Sequence, residues 1–342
     1  MQTSNTTADL RGIDNVGSGV AWASGTNGTV LRTEDGGYVW QTCAVPPGAE
    51  KLDFRGVQAF DANTAIVMSS GKGDLSRLYK TTDACHTWKL IFKNPDPDGF
   101  WDAIMYDGDF DTTFILGDPV DGRFRLFSQI EGEKVSDDWN GHAIRSVPGE
   151  AAFAASNSVL IDNFGEGMFS FVTGGKRSEI IHEEHGIDRK KGMFSEWSRS
   201  PLPFASCESC GAFSIAARPY VKSEGDHKHG VVVGGDYLKP DASVKTAAYS
   251  DDWGYHWSPA TAMPHGYRSS VAYSPDLKLW ITVGPNGTDI SADDGRNWRA
   301  VHPDLALHEA LDADRDWNAL SLPYVVGPKG RIGKLEPAAF KK

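Results

Sequence analysis

The sequence predicts an all-β fold in which similar sheets repeat around an axis, and three observations support this prediction. The 342 residues include 37 Gly and 18 Pro without a collagen-like period, which indicates many short turns. Hydrophobic residues make up 40% of the chain, with 11 Trp, 16 Phe and 10 Tyr, so a sizeable core can form. A turn pattern also recurs roughly every 40 to 70 residues, as expected for four-stranded propeller blades with insertions.

The repeated turn has the pattern S/T-x-D-x-G-x-x-W. Complete copies occupy residues 33–40, 250–257 and 291–298, and eroded copies begin at residues 81, 128 and 182. In the copy at 81, Cys85 replaces the glycine, and the copy at 182–186 is interpreted as a degenerate turn. The Asp and Ser/Thr side chains can bond turn amides, the Gly can adopt positive φ, and the Trp can pack between sheets. The residues expected to fix these hairpins are Thr33, Asp35, Gly37, Trp40, Asp83, Trp88, Ser250, Asp252, Gly254, Trp257, Ser291, Asp293, Gly295 and Trp298.

This pattern resembles the Asp-box, or BNR, repeat of sialidase-like propellers. Residues 19–40 (GVAWASGTNGTVLRTEDGGYVW) are similar to propellers related to the photosystem II stability and assembly factor. The resemblance extends along nearly the whole chain in blade-sized units and is strongest at the repeated turns. It implies a seven-bladed platform outside the cytoplasm whose face holds a protein segment or a small ligand. Because propellers host many unrelated activities, it indicates the fold better than the function.

We expect one domain, 1–342, of seven four-stranded antiparallel blades. The blades are placed at about 10–43, 50–92, 98–146, 147–203, 209–264, 266–302 and 308–336. The last unit ends at VVGPKGRIGKLE and matches only the strands that precede a repeated turn. Its outer strand is therefore expected to come from the N-terminal segment, which would close the ring and cover its sheet edges.

The face opposite the repeated turns is the expected place for a ligand, because the innermost strands begin there. The residues expected around this opening are Arg11, Arg55, Asp102, Glu150, Tyr267, Arg268 and Asn318 at strand starts, and Asp118, Arg123 and Asp236 in the turns between second and third strands. In one interpretation, the arginines bind the carboxylate, sulfate or phosphate of a small molecule, a glycan or a protein segment. In the other, they only neutralise the acidic residues across the channel.

A carbohydrate-active enzyme is the alternative function, since Asp-box propellers often have glycoside hydrolase or polysaccharide lyase activity. Asp102 and Glu150 are then the candidate acid and base. The Arg-Ile-Pro motif expected near the N-terminus of sialidases is missing from this sequence. Four aromatic residues discriminate between the alternatives, because they either line a cleft for sugar stacking or fill the channel as core: Trp101, Phe213, Tyr267 and Trp317.

The charge and motif content limit the partners. Asp and Glu number 46 against 34 Lys and Arg, and the net charge of −12 disfavours nucleic acid and anionic membranes. No apolar run has the length of a transmembrane helix, and no nucleotide-binding glycine motif is present, so neither membrane insertion nor a cofactor is expected. No metal is expected either, because the insertion containing His227 and His229 lacks the other ligands of a closed site.

Cys207 and Cys210 form a C-E-S-C pair without the second pair of a zinc ribbon. A local disulfide in an oxidising compartment is the preferred interpretation, and a redox-active pair is the alternative. We therefore expect a periplasmic or secreted monomer whose signal peptide has been removed. The insertions around 176–203 and 221–245 are places where a partner surface could have been added.

Overall fold

The computed structural model describes residues 1–108, 111–130, 144–162, 169–188, 192–219, 228–252 and 254–340. These residues form 28 β-strands in seven sheets whose strands pair antiparallel. Within these ranges the helices are short 3-10 turns, at Gly73–Leu75, Leu305–Leu307 and Pro337–Phe340. None of them has the length and apolar character that crossing a bilayer requires. The predicted all-β, seven-bladed propeller is confirmed.

Four of the sheets have four strands in chain order. The first contains β1 (Leu10–Gly17), β2 (Val20–Gly25), β3 (Val30–Thr33) and β4 (Gln41–Thr42). The second contains β5 (Phe54–Ala59), β6 (Ala65–Ser69), β7 (Arg77–Thr81) and β8 (Lys89–Lys93). The fourth contains β13 (Leu160–Asp162), β14 (Phe169–Val172), β16 (Glu179–Asp188) and β17 (Gly192–Pro201), and the sixth contains β22 (Ser270–Ser274), β23 (Leu279–Gly284), β24 (Gly287–Ser291) and β25 (Arg299–Val301).

The other three sheets depart from this plan. The third contains β9 (Trp101–Asp107), β10 (Thr112–Val120) and β11 (Arg123–Ile130), and the seventh contains β26 (Ala319–Ser321), β27 (Tyr324–Val326) and β28 (Ile332–Lys334). The fifth contains β18 (Cys210–Ala217), β19 (Gly230–Asp236), β20 (Ala247–Ser250) and β21 (Ser258–Pro259). Two short strands, β12 (Glu150–Ala151) and β15 (Gly174–Gly175), extend this fifth sheet to six.

Inner strands are apolar on both sides because each sheet packs against two neighbours. All five residues of β6 are buried, whereas both residues of the outer strand β4 are exposed. Large aromatic side chains fill the wedges between sheets: Trp22 lies between the first and second, Trp101 between the second and third, and Trp280 between the fifth and sixth. Burying such residues is the main stabilising contribution to the fold.

The repeated turns join the third and fourth strands of their sheets. In the first turn, Thr33 Oγ1 accepts from Gly37 N at 3.0 Å, and Asp35 Oδ1 accepts from Val39 N at 3.0 Å. Gly37 has φ of 87°, which a residue with a side chain rarely adopts. Equivalent bonds form in the turns at 81–88, 250–257 and 291–298. In the copy at 81, hydrogen bonds from the Thr87 hydroxyl and amide lower the pKa of Asp83 to about 2.

Two eroded copies of the pattern remain, and they begin at residues 128 and 182. The copy at 182–186 lies inside β16, so the interpretation as a degenerate turn is wrong. There the His182 ring is buried between Ser170 Oγ at 2.7 Å and the Gly254 carbonyl at 2.9 Å. The copy at 128–135 begins at the end of β11, and its residues from 131 onward lie outside the described ranges.

Two disulfides are present, whereas the sequence had indicated only the one between Cys207 and Cys210. Cys207 is joined to Cys210, and Cys43 is joined to Cys85 across 42 residues. The second bond links the first sheet to the second, and Ala44 N donates to the Cys85 carbonyl beside it at 3.3 Å. Long loops lose the most entropy when cross-linked, so this bond contributes about 2–5 kcal/mol to stability. The repeat pattern had shown Cys85 only as a residue in the place of glycine.

The N-terminal segment lies along the seventh sheet. Gln2 N donates to the Ile332 carbonyl at 2.9 Å in an isolated antiparallel bridge on β28. Gln2 Oε1 also accepts from Trp40 Nε1 of the first sheet at 2.9 Å, and Gly330 N donates to the Ala8 carbonyl at 2.6 Å. These contacts place the segment between the last sheet and the first, where ring closure by the N-terminus remains a prediction.

Deleting residues 1–9 should lower the melting temperature by several degrees, because it exposes the edge of β28 and removes the bonds to Trp40 and Gly330. Differential scanning calorimetry of the truncated and full chains measures the change. Gln2→Ala, which removes only the side-chain bond, is the matched control and should shift the midpoint less. An unchanged melting temperature in the truncated chain would reject the closure prediction.

Candidate functional site

The face opposite the repeated turns carries two half-exposed arginines that share one carboxylate. Arg11 and Arg55 are the second residues of β1 and β5, the innermost strands of adjacent sheets. Arg55 Nε lies 2.9 Å from Asp53 Oδ2, and Arg11 Nε lies 3.6 Å from Asp53 Oδ1. The arginine side chains are 31% and 30% exposed, so solvent reaches both guanidinium groups.

Four aromatic residues lie beside these arginines. The Phe153 and Phe213 rings stack at 4.0 Å, and Tyr267 packs edge-on against Phe213 at 4.8 Å. Tyr237 contacts the same pair and is 47% exposed. Burial, and next the neighbouring Tyr237, raise the pKa of Tyr267, while the charges of Arg55 and Arg11 oppose that rise. We call Arg11, Asp53, Arg55, Tyr237 and Tyr267, together with Phe153 and Phe213, the central mouth.

The arginines of the central mouth keep unused hydrogen-bonding capacity. Arg55 Nη1 donates to the Ala154 carbonyl at 3.1 Å in addition to its bond with Asp53. Arg11 Nε is buried 3.6 Å from Asp53 Oδ1 and has no hydrogen-bond acceptor in the part of the chain that the structure describes, so a ligand would meet the Nη groups of Arg11. A guanidinium has five donors arranged to match a carboxylate or phosphate, so the mouth can accept an anionic group between the two arginines.

One fully buried and one half-buried carboxyl group lie beneath the mouth. Asp102 is 1% exposed, and its Oδ2 has no hydrogen-bond partner among the described residues. Burial, and then the charge of Asp118, hold the pKa of Asp102 well above its usual range, against the opposing charge of Arg55. Asp118 Oδ1 accepts from Ala152 N at 3.0 Å, and burial raises its pKa to about 6. The pair therefore stays partly protonated at pH values where surface aspartates are ionised.

Asp118→Asn should increase the free energy of unfolding near pH 7.5 and leave it unchanged near about pH 4. Because the folded-state pKa is raised, the folded chain binds more protons between the ordinary value and about 6, and wild-type stability falls as pH rises through that window. Each unit of pKa difference corresponds to about 1.4 kcal/mol. Urea denaturation across this pH range measures the effect. The exposed Asp121→Asn is the control, and parallel curves for wild type and Asp118→Asn would contradict the prediction.

The structure corrects the expectation for Glu150. It does not begin the innermost strand of the fourth sheet, which is β13, but lies in β12 at the edge of the fifth. Its side chain is fully buried, with Arg199 Nη2 at 2.5 Å, Thr173 Oγ1 at 2.8 Å and Val147 N at 3.0 Å from its carboxylate. Arg199 also bonds Glu179. Glu150 is therefore part of a buried ion-pair cluster, because a buried carboxylate needs such partners.

The expectation that Arg268 lines an open mouth is also wrong, because its side chain is fully buried. Its Nε and Nη2 donate to Asp289 Oδ2, and Nη1 donates to the Tyr267 carbonyl at 2.7 Å and to Asn286 Oδ1 at 2.5 Å. His265 Nδ1 lies 2.9 Å from Nη2. No donor remains for a ligand, so Arg268 holds the sixth sheet together.

Other expected site residues also have structural surroundings. Asn318 Nδ2 donates to the Leu10 carbonyl at 2.8 Å and joins the seventh sheet to the first. Trp101 and Trp317 are 0% and 2% exposed, so they fill space between sheets and offer no stacking surface. Arg123 is exposed on the β10–β11 hairpin, where it forms an isolated bridge with Arg145. His227 lies outside the described residues.

Glu150→Gln should reduce the free energy of unfolding by about 1–3 kcal/mol, because it leaves Arg199 with one fewer buried counter-charge. Urea denaturation provides the measurement, and the exposed Glu50→Gln is the control expected to change little. Equal stability of Glu150→Gln and wild type would show that the ion-pair cluster is not structural.

Asp236 was expected at the mouth, and it is the last residue of β19, directly before Tyr237. Its Oδ1 accepts from Ser209 Oγ at 2.6 Å and from Leu238 N at 3.1 Å. Ser209 belongs to the turn closed by the Cys207–Cys210 disulfide. The disulfide is thus adjacent to the mouth, which the spacing of the cysteines alone could not indicate.

Comparisons with known proteins support the architecture. No protein-family model and no curated protein matches the chain. One solved structure, described as YCF48 bound to D1 peptide, has a TM-score of 0.61 and 15% identity over 98% of this chain and 94% of that chain. Another, YCF48 from Cyanidioschyzon merolae, has a TM-score of 0.54 and 17% identity over 98% of this chain and 97% of its own. At these identities the similarity establishes the fold, and the likeness to photosystem II assembly factor propellers predicted from sequence is confirmed at that level.

Proposed function

We propose that this propeller is an assembly-factor-like platform that holds an extended, anionic protein segment at its central mouth, outside the cytoplasm. The observation that carries the proposal is the pair of half-exposed guanidinium groups that share the single carboxylate of Asp53. A carboxylate of the segment would complete the pairing of Arg11 and Arg55, and charge-assisted bonds of this type are about twice as strong as neutral ones.

The aromatic part of the mouth supplies the apolar contact that a protein segment needs. The Tyr237 ring is exposed, and its edge contacts with Phe153 and Phe213 hold it in place before binding. Tyrosine and arginine are the residues most often found to dominate binding energy at interfaces. The mouth combines both types within one small area.

Two further observations support the proposal. A propeller of similar fold is described as bound to a peptide, although the low identity transfers no residue roles. Two disulfides join all four cysteines, and disulfides persist in oxidising compartments, which supports a periplasmic or secreted location.

The alternative of a glycoside hydrolase or lyase gains no support from the geometry. Glu150 is surrounded by Arg199, Thr173 and a backbone amide, while burial and the charge of Asp118 raise the pKa of Asp102. The proposed acid and base thus have separate partners, and both are buried. Trp101 and Trp317 belong to the core, so they cannot stack on a sugar.

Arg55→Ala and Arg11→Ala should each weaken binding of an acidic peptide about tenfold or more, because each removes charge-assisted hydrogen bonds. The probes are short fluorescent peptides selected on an array, each paired with a copy in which Asp and Glu are replaced by Asn and Gln. Fluorescence anisotropy measures the dissociation constants.

The control is Arg299→Ala on the outer strand β25, which should leave peptide affinity unchanged. Equal binding of the acidic and neutral peptides, or equal binding by Arg55→Ala and wild type, would reject the proposal. A uronic or sialic acid that binds with the same dependence on Arg55 would replace the protein segment with an anionic small molecule or glycan.

A further inference from the structure

Three potential metal ligands converge beside the central mouth. The sulfur atoms of Cys207 and Cys210 and a carboxylate oxygen of Asp236 all lie within 4.8 Å of one another. In the structure the two sulfurs form a disulfide, and in that state they are poor ligands because the thiolate is the form that binds metals.

The local backbone explains why the three residues meet. Cys210 and Asp236 are directly paired across β18 and β19, so their side chains are neighbours on one face of the sheet. A tight turn, in which Cys210 N donates to the Cys207 carbonyl at 3.2 Å, returns Cys207 to the same place. The cluster is thus fixed by strand register and by a turn, and it does not depend on the disulfide alone.

The carboxylate of Asp236 is oriented for a ligand. Ser209 Oγ and Leu238 N both donate to Oδ1, and among the described residues the contact given for Oδ2 is the exposed ammonium of Lys239, at 3.7 Å. One oxygen therefore anchors the group, while the other can bind a cation. Hydrogen bonds of this kind to a ligating carboxylate are the usual supporting shell of metal sites.

The two disulfides differ in accessibility and in loop length. Cys43 and Cys85 are both buried and enclose a long loop, but Cys207 is half-exposed and the loop to Cys210 is minimal. Closing a short loop removes little entropy from the unfolded chain, so the bond at 207–210 contributes less to stability. A reductant can also reach Cys207 more easily.

We propose that reduction of the Cys207–Cys210 disulfide creates a Zn²⁺ site formed by the two thiolates and the Asp236 carboxylate. A dithiol reductant breaks the S–S bond, supplies two electrons and two protons, and leaves as its own disulfide. Zn²⁺ then replaces both thiol protons, which pass to solvent. Three protein ligands leave one position of a tetrahedral Zn²⁺ for water or for a ligand from outside the chain.

The charges of the site favour a cation over a redox-active thiolate. Reactive cysteines have neighbouring cations or a helix N-terminus that stabilise the thiolate. Here a carboxylate oxygen of Asp236 lies within 4.8 Å of both sulfurs, and its charge disfavours an isolated thiolate and favours bound Zn²⁺. The sequence shows that the second cysteine pair of a zinc ribbon is missing, and the third ligand, a carboxylate on the adjacent strand, becomes apparent only from the fold.

The test uses Co²⁺ as a spectroscopic substitute for Zn²⁺. The full chain is reduced with a water-soluble phosphine, and alkylation with peptide mapping establishes that Cys207 and Cys210 are free while Cys43–Cys85 remains joined. The expected result is one Co²⁺ per reduced chain, with a thiolate-to-cobalt absorption band that Zn²⁺ removes and that the oxidised chain lacks. Cys207→Ser with Cys210→Ser should abolish the band.

Asp236→Asn should weaken Co²⁺ binding about tenfold or more, and Ser209→Ala should weaken it as well, because it releases Asp236 Oδ1. Asp121→Asn, an exposed carboxylate on another hairpin, is the matched control and should bind as wild type. The proposal is overturned if the reduced chain binds no Co²⁺, if it loses its β-sheet circular dichroism spectrum, or if Asp236→Asn binds as tightly as wild type. Binding that persists in the double serine variant would place the ion elsewhere and overturn it too.

Discussion

Every sheet of this propeller must bury both of its faces against neighbouring sheets, and the rest of the structure depends on this constraint. It explains why inner strands such as β6 are buried at every position and why Trp22, Trp101 and Trp280 lie in the wedges between sheets. It also orients the sheets around one axis, so the innermost strands begin together on one face. Polar residues at strand starts are therefore brought together, although they are far apart in sequence.

Because the axis is crowded, each ionisable side chain there either pairs with an opposite charge or becomes neutral. Arg11 and Arg55 reach solvent and share Asp53, which leaves them able to bind an anion. Asp102 is fully enclosed, and its pKa rises because of burial and the nearby Asp118. Glu150 is also enclosed, but it is paired with Arg199. These side chains differ in exposure, pKa and pairing because each strand start gives them different access to solvent and to opposite charges.

The repeated turns made the fold predictable, because their Asp, Gly and Trp residues carry the hydrogen bonds that fix each hairpin. The local disulfide between Cys207 and Cys210 could also be predicted from the sequence. The bond between Cys43 and Cys85 was not, because it joins different sheets and depends on how the first two pack. The role of Glu150 was missed for the same reason: its partner Arg199 lies 49 residues away, and no spacing rule links them.

Arg268 shows which sequence signal could have separated a structural arginine from a ligand-binding one. Arg11, Arg55 and Arg268 occupy similar positions at strand starts, yet only Arg268 is completely buried. Two residues before the repeated turn, the third strand carries Leu31 in the first sheet and Asp289 in the sixth. Asp289 supplies the buried counter-charge for Arg268, whereas Leu31, at the matched position, provides no acid for Arg11 in the first sheet.

The different surroundings of Arg268 and Arg11 give the physical reason why the central mouth forms on one side of the axis. An arginine at a strand start becomes structural when the third strand of its own sheet carries an acid at the matched position, because the pair can then be buried together. Without that acid the guanidinium must stay near solvent and use a carboxylate from a loop, as Arg11 and Arg55 use Asp53. Leu31, at the position matched to Asp289, therefore contributes to the mouth, since it leaves Arg11 without a buried partner and available to an anionic segment.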